Sequence, residues 1–144
     1  MKKIVLCFMF LALIFVGCTK EETIEPKTTY TFTAIDGTVE DMVSLLTKDG
    51  YYNVHLDLLF SEYGDGHCLS FNSIDSAVDD KKYSFTAHEK AEYVTVRIEL
   101  TGEHSIYGDF EFIRYMANVT YLKQGANTDI VFGSDTMVAK TEPK

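Results

Sequence analysis

The sequence predicts an all-β, mostly antiparallel domain, a β-sandwich or an up-and-down barrel of about eight to ten short strands. Three observations carry this expectation. Apolar and polar residues alternate with a period of two from Thr28 onward, the pattern of strands with one face buried. Turn signals such as Asp36-Gly37, Tyr63-Gly64-Asp65-Gly66 and Thr101-Gly102 interrupt the alternation at intervals of about ten residues. The two prolines, Pro26 and Pro143, bracket the alternating region, so no strand within it lacks a backbone donor.

Taken in order, Tyr30, Phe32 and Ala34 alternate with threonines and open the domain. The stretch from Thr38 to Lys48 reads two ways. Val39, Met42, Val43 and Leu46 have helical spacing after a Thr38 N-cap with Asp41 at N3, whereas Asp49-Gly50 before Tyr51 is a hairpin signal. Gly50 would equally serve as the residue after a helix C-cap. Next, Tyr52, Val54, Leu56, Leu58 and Phe60 face one way against Asn53, His55, Asp57 and Ser61, which predicts a half-buried strand. Leu69 and Phe71 alternate with serine and asparagine, and Tyr83, Phe85 and Ala87 with Ser84 and Thr86. A second long strand follows from Val94, Val96, Ile98 and Leu100 set against Thr95, Arg97, Glu99 and Thr101. The remainder reads as strands near Asp109 to Tyr115, Asn118 to Lys123, Asp129 to Phe132 and Thr136 to Lys140, with Gln124 to Asn127 as a hairpin loop.

Ahead of this domain, Lys2 and Lys3 precede an apolar run from Ile4 to Val16 that stops at Gly17-Cys18. The run is too short to span a bilayer and sits where a secretory signal does. Phe15-Val16-Gly17-Cys18 resembles the lipobox of bacterial lipoproteins, with Phe15 where leucine is usual. The resemblance implies a signal peptide over 1–17, removal before Cys18, and acyl chains on the Cys18 thiol and amine, an anchor beyond the two signals needed for stable attachment. Thr19-Lys20-Glu21-Glu22 looks like the export signal that carries lipoproteins of the Bacteroidetes to the outer face of the outer membrane, through Lys20, Glu21 and Glu22. Residues 18–27 are then a lipidated, acidic linker and 28–144 a single β domain.

The chain carries 13 basic and 22 acidic side chains, a formal charge of −9. Loss of residues 1–17 removes Lys2 and Lys3 and no acid, which makes it −11. Such a balance offers no footprint for nucleic acid and repels anionic headgroups, so membrane contact is expected through the lipid alone. With Cys7 removed and Cys18 lipidated, Cys68 is left without a disulfide partner. It is expected as a small, mostly buried side chain near the start of a strand.

Chemistry-bearing constellations are sparse. Glu62, Asp65, His67 and Cys68 crowd one turn, but no second ligand cluster completes a zinc site, and Asp75 to Asp80 lacks the spacing of a calcium loop. Neither a nucleophile motif nor a phosphate-cradling glycine loop occurs. The expectation is therefore a protein without catalytic residues, cofactor or metal. Aromatic content is more informative: nine tyrosines and ten phenylalanines, with no tryptophan, exceed what the inward positions require. Tyr51, Tyr63, Tyr93, Tyr107 and Tyr115 fall at strand edges or odd positions and are candidate contact residues for a glycan or a protein partner. Asp75-Ser76-Ala77 and Asp135-Thr136-Met137 resemble the acceptor of O-glycosylation in Bacteroidetes, which makes Ser76 and Thr136 candidate sites.

The whole chain resembles small surface lipoproteins of Bacteroidetes, a likeness specific at 15–22 and architectural over 28–144. It implies a lipid-anchored, non-catalytic binding or interaction module at the outer membrane, facing the cell surface. The alternative is a periplasm-facing inhibitor or immunity-type lipoprotein that blocks a basic enzyme.

Overall fold

A computed structural model describes residues 25–106, 108–133 and 136–142, with the backbone path alone over 109–117 and 136–142. Cys18, Lys20, Glu21, Glu22 and Tyr107 lie outside the described residues, as do the side chains of Tyr115 and Thr136. Eight strands and one helix follow in the order β1 (Thr29–Ala34), α1 (Thr38–Lys48), β2 (Tyr51–Gly64), β3 (His67–Ile74), β4 (Lys82–Thr86), β5 (Tyr93–His104), β6 (Gly108–Tyr121), β7 (Asn127–Gly133) and β8 (Thr136–Glu142).

They form two four-stranded sheets, ordered β4-β1-β7-β8 and β3-β2-β5-β6. The architecture is therefore sandwich-like, and the barrel alternative falls away. Every pairing is antiparallel except β1 with β7, which is parallel. Inward residues of the two sheets meet in one core: Tyr30, Phe32, Ile130 and Phe132 from one side, Leu56, Leu58, Phe60, Val94, Val96 and Ile98 from the other. Aromatic rings lock the sheets together, with Phe32 edge-on to Phe60 at 5.5 Å and Phe85 tilted against Phe60 at 5.0 Å. Such pairs add about 0.5–1.5 kcal/mol each beyond their buried area.

The 38–48 stretch is a helix because its apolar residues recur at helical spacing: Val39 and Met42 are buried, with Val43 and Leu46 packed against the core. Its cap differs from the expected one. Gly37, at φ 68°, is the N-cap, and Thr38 turns its hydroxyl back to donate to the Ile35 carbonyl. The first free N–H groups are satisfied from a distance: Val39 and Glu40 donate to the Asp79 carboxylate at 3.1 and 3.0 Å. A carboxylate there also favours the helix dipole. At the other end Gly50, at φ 91°, follows the Asp49 C-cap, so Asp49-Gly50 ends a helix and turns no hairpin.

Five further expectations are corrected. Residues 108–121 form one long strand, not two, because a bulge opposite Arg97 absorbs residues 115–117 between the Val96–Asn118 and Ile98–Arg114 pairs. Gln124 to Asn127 is a crossover between sheets and not a hairpin, since β6 and β7 belong to different sheets. Tyr52 leaves the inward row: a register shift at Asn53, whose φ is 53°, leaves it half exposed. Phe71 faces solvent and is 71 % exposed, because β3 pairs Ser70 with Glu62 and Asn72 with Phe60, turning those polar residues inward. The bulge between Glu62 and Tyr63 then places Cys68 opposite Tyr63 on the outer side, exposed and not buried.

Across the other sheet, Asp129 joins three strands. Its carboxylate accepts from Thr31, from Asn127 at 2.9 Å and from Lys82 at 3.2 Å. The Thr31 hydroxyl first, then Lys82 and Asn127, outweigh partial burial and hold Asp129 below the usual carboxylate range. A carboxyl whose folded pKa is depressed adds stability that is present above its unfolded value, near 4, and is lost as pH falls through the folded value. Asp129→Asn is therefore expected to destabilise the domain at pH ~7 and to narrow the gap between its urea midpoints at neutral and acid pH. A gap unchanged by the substitution would remove this residue from the acid response.

Candidate functional site

The strand directions give the domain two distinct ends. Thr29, Thr86, Tyr63, Tyr93, Tyr121 and Asn127 share the near end, where the described chain enters at Glu25, whereas α1 and the 75–79 loop cover the far end. The features that bear on function distribute between these ends and the core.

Inside the core sits Glu62, 1 % exposed on β2. Its carboxylate accepts from the Tyr30 hydroxyl at 2.9 Å and Asn72 Nδ2 at 3.1 Å on one oxygen, and from Ser70 Oγ and the His88 N–H, both at 2.7 Å, on the other. Asn72 also donates to the Tyr30 oxygen at 2.8 Å. Burial, with the neighbouring carboxylate, pushes the Tyr30 hydroxyl far above its ordinary pKa. Four donors from two strands and a loop converge on one acid of a third strand, so the node ties the two sheets together at their β1, β2 and β3 strands. Glu62 lines neither the groove beside α1 nor the pocket around Pro26 and Gln124. A purely sequential reading groups Glu62 with the turn that follows. The usable signal is its place two residues beyond Phe60 on the inward row.

On the outer face of the β3-β2-β5-β6 sheet, Tyr63 pairs with Tyr93 and Tyr93 with Tyr121 across three strands. The first two rings are parallel within 7° at 5.2 Å, and the third is tilted by 58° at 6.0 Å. Two of the five candidate tyrosines thus come together, joined by Tyr121, which is 74 % exposed. The neighbouring row adds Phe71 and Val119, both exposed. Tyr51 stands apart at the far end, its ring 4.8 Å from His104. Parallel rings 5.2 Å apart cannot lie side by side in one plane, since carbon contacts require about 3.5 Å. Tyr63 and Tyr93 are therefore stacked on one another, so the faces between them are closed to a sugar ring.

At the far end a groove of 410 Å³ lies between α1, the start of β2 and the 75–79 loop. Val39, Val43, Val54, Leu56, Ala77 and Val78 line it, with Glu40, His55, Ser76 and Asp79 among its walls. Its volume is within the range of small-molecule and side-chain pockets. Glu40 on its wall is exposed, and exposed Asp41, Asp75 and Asp80 adjoin lining residues along the chain. Of the lysines at this end, Lys82 pairs with Asp129 and Lys81 lies over the Tyr83 ring at 4.9 Å. Ser76, the described O-glycosylation candidate, is exposed at φ 54° and donates its N–H to Asp57 at 2.7 Å.

His55 touches this groove and has a hydroxyl and an acid beside it. Thr101 Oγ1 is 2.8 Å and Asp57 Oδ2 3.3 Å from Nε2, while Nδ1 faces the Asn53 carbonyl at 3.1 Å. A nucleophile relay needs the carboxylate on the ring nitrogen opposite the hydroxyl. Here both share one nitrogen, so the trio does not have that geometry. Among the described residues no three His, Cys, Asp or Glu side chains gather in metal-binding reach. Asp65, His67 and Cys68 all point to solvent. Among the described residues no helix is long and apolar enough to cross a membrane. No family model, curated protein or solved structure matches this chain.

Proposed function

We propose that this protein is a lipid-anchored, non-catalytic binding module of the outer membrane, held through Cys18 and carried to the cell surface by Lys20-Glu21-Glu22. Its partner is a protein segment with an apolar side chain flanked by cations, received in the groove between α1 and the 75–79 loop. One observation supports this reading above others: the groove has an apolar floor with Glu40 and Asp79 on its walls, and the nearby Lys82 is paired with Asp129. An apolar anchor supplies affinity, and opposite charge around it steers encounter and rejects acidic competitors.

A photo-crosslinking side chain at Val78, half exposed on the groove wall, tests the binding surface in intact cells. A protein adduct through a basic segment is expected, with a yield lowered about tenfold by Val43→Arg, the equivalent of ~1.4 kcal/mol. An adduct through an acidic segment, or none, rejects the groove. So does a glycan found on Ser76, because a sugar there and a partner in the groove exclude each other. Added protease separates the two orientations: a domain cleaved on intact cells faces outward, and a protected one fits the inhibitor of a basic periplasmic enzyme. Loss of acyl incorporation in Cys18→Ser checks the anchor.

A further inference from the structure

We infer that the tyrosine corner of the β3-β2-β5-β6 sheet docks on the lipid surface that carries the anchor, and so sets the orientation of the domain. The inference rests on the lipid anchor proposed above for its location, and on the structure for its chemistry. Three independent features meet at this corner.

First, the tether leads there. Pro26 packs so closely on Gly125 that a β-carbon at that glycine would stand 2.9 Å from the proline ring. Thr28 accepts from the Gly125 N–H and donates to Gln124, both at 2.9 Å, and Thr29 donates to the Ala126 carbonyl at 3.0 Å. The incoming chain is thus pinned to the segment that directly follows Tyr121. Cys18 lies eight residues before Pro26, a span of at most about 28 Å. The near end of the domain cannot leave the neighbourhood of the bilayer, while the groove lies roughly 23 Å further along β2 at ~3.3 Å per residue.

Second, the exposed side chains suit a lipid interface. Tyr121, Phe71 and Val119 are 74, 71 and 46 % exposed on one face, beside the stacked rings of Tyr63 and Tyr93. Tyrosine concentrates at membrane–water boundaries because its ring is apolar and its hydroxyl wet. Tyr121, the most exposed of the three rings, presents both together.

Third, charge is segregated. The net negative charge, which opposes contact with lipid, belongs to the far half: Asp36, Glu40, Asp41, Asp49, Asp75 and Asp80 face Lys48 and Lys81 there. Near the corner Lys27, Lys90 and Lys123 stand among Glu25, Asp65, Glu89, Glu92 and, at the end of β8 opposite Asn127, Glu142, a smaller acidic excess than at the far end. A zwitterionic surface meets little repulsion at this corner, and the acidic groove is held outward.

The chain contains no tryptophan, so a single one reports without background. Purified lipidated Tyr121→Trp and Leu45→Trp chains are reconstituted in phosphatidylcholine vesicles with brominated acyl chains. Leu45, 65 % exposed on α1, marks the far end. Emission from position 121 is expected to fall to half or less and shift to the blue, with position 45 unchanged. If neither is quenched while the protein stays with the vesicles, the anchor stands and the docking is overturned. Quenching at both positions overturns the orientation. If the protein does not associate with vesicles, the anchor has failed and a chain beginning at Thr19, which retains every described strand and the core, is titrated with the same vesicles. Quenching at position 121 alone then upholds the corner, and no quenching overturns it.

Discussion

Glu62→Ala is expected to cost about 3–4 kcal/mol of folding stability, a large share of the 5–15 kcal/mol typical of a domain. The carboxylate is fully buried and holds four donors. After its removal the hydroxyls of Tyr30 and Ser70 can rotate, but the Asn72 amide and the His88 N–H have fixed hydrogens. The amide keeps its bond to the Tyr30 oxygen, so each part-buried donor that loses the carboxylate costs at most about 1–3 kcal/mol, to which a cavity is added. Glu62→Gln separates the two contributions. It fills the space, yet its NH₂ must point at either Asn72 or His88, both donors, so about 1–3 kcal/mol is still lost. Urea unfolding of both variants checks the order. If glutamine is as stable as glutamate, the node acts through shape and not through its hydrogen bonds.

The second large effect is a contrast between two phenylalanines that the sequence presents alike, each on an alternating strand. Phe60→Ala should lose about 3–5 kcal/mol, the usual result for an aromatic ring removed from a packed core. Phe60 is fully buried and meets the rings of Tyr30, Phe32 and Phe85. Phe71→Ala should change stability by no more than about 0.5 kcal/mol, as surface substitutions do. Thermal melts of the two variants decide the matter directly. Equal losses would mean that Phe71 packs inward and that the register of β3 against β2 is shifted by one residue.

The contrast shows where sequence reading succeeds. β1, β4 and β5 follow their alternation residue by residue: Tyr30, Phe32, Val94, Val96 and Ile98 are all buried, because each strand offers one apolar row and one polar row. β3 offers two mixed rows, so its register is decided by its neighbour. Glu62 requires donors, and Ser70 and Asn72 turn inward to supply them, which forces Phe71 outward. Helix α1 was legible in its apolar spacing, but not its cap, since Asp79 arrives from a loop 40 positions along the chain. The same holds for the tyrosines: their surplus is visible in composition, whereas the meeting of Tyr63, Tyr93 and Tyr121 depends on the order β2-β5-β6.

By itself, then, the sequence determined the class of fold, most strand positions and the acidic character of the chain, because period-two patterning and charge are local properties. Only the tertiary structure decided between sandwich and barrel, placed Glu62 at the centre of a buried network, and separated an aromatic corner from a groove with acidic walls at the opposite end. Each of these depends on which strand lies beside which, and pairing across long sequence separations is settled by the mutual satisfaction of buried polar groups and packed rings, information that no single segment contains.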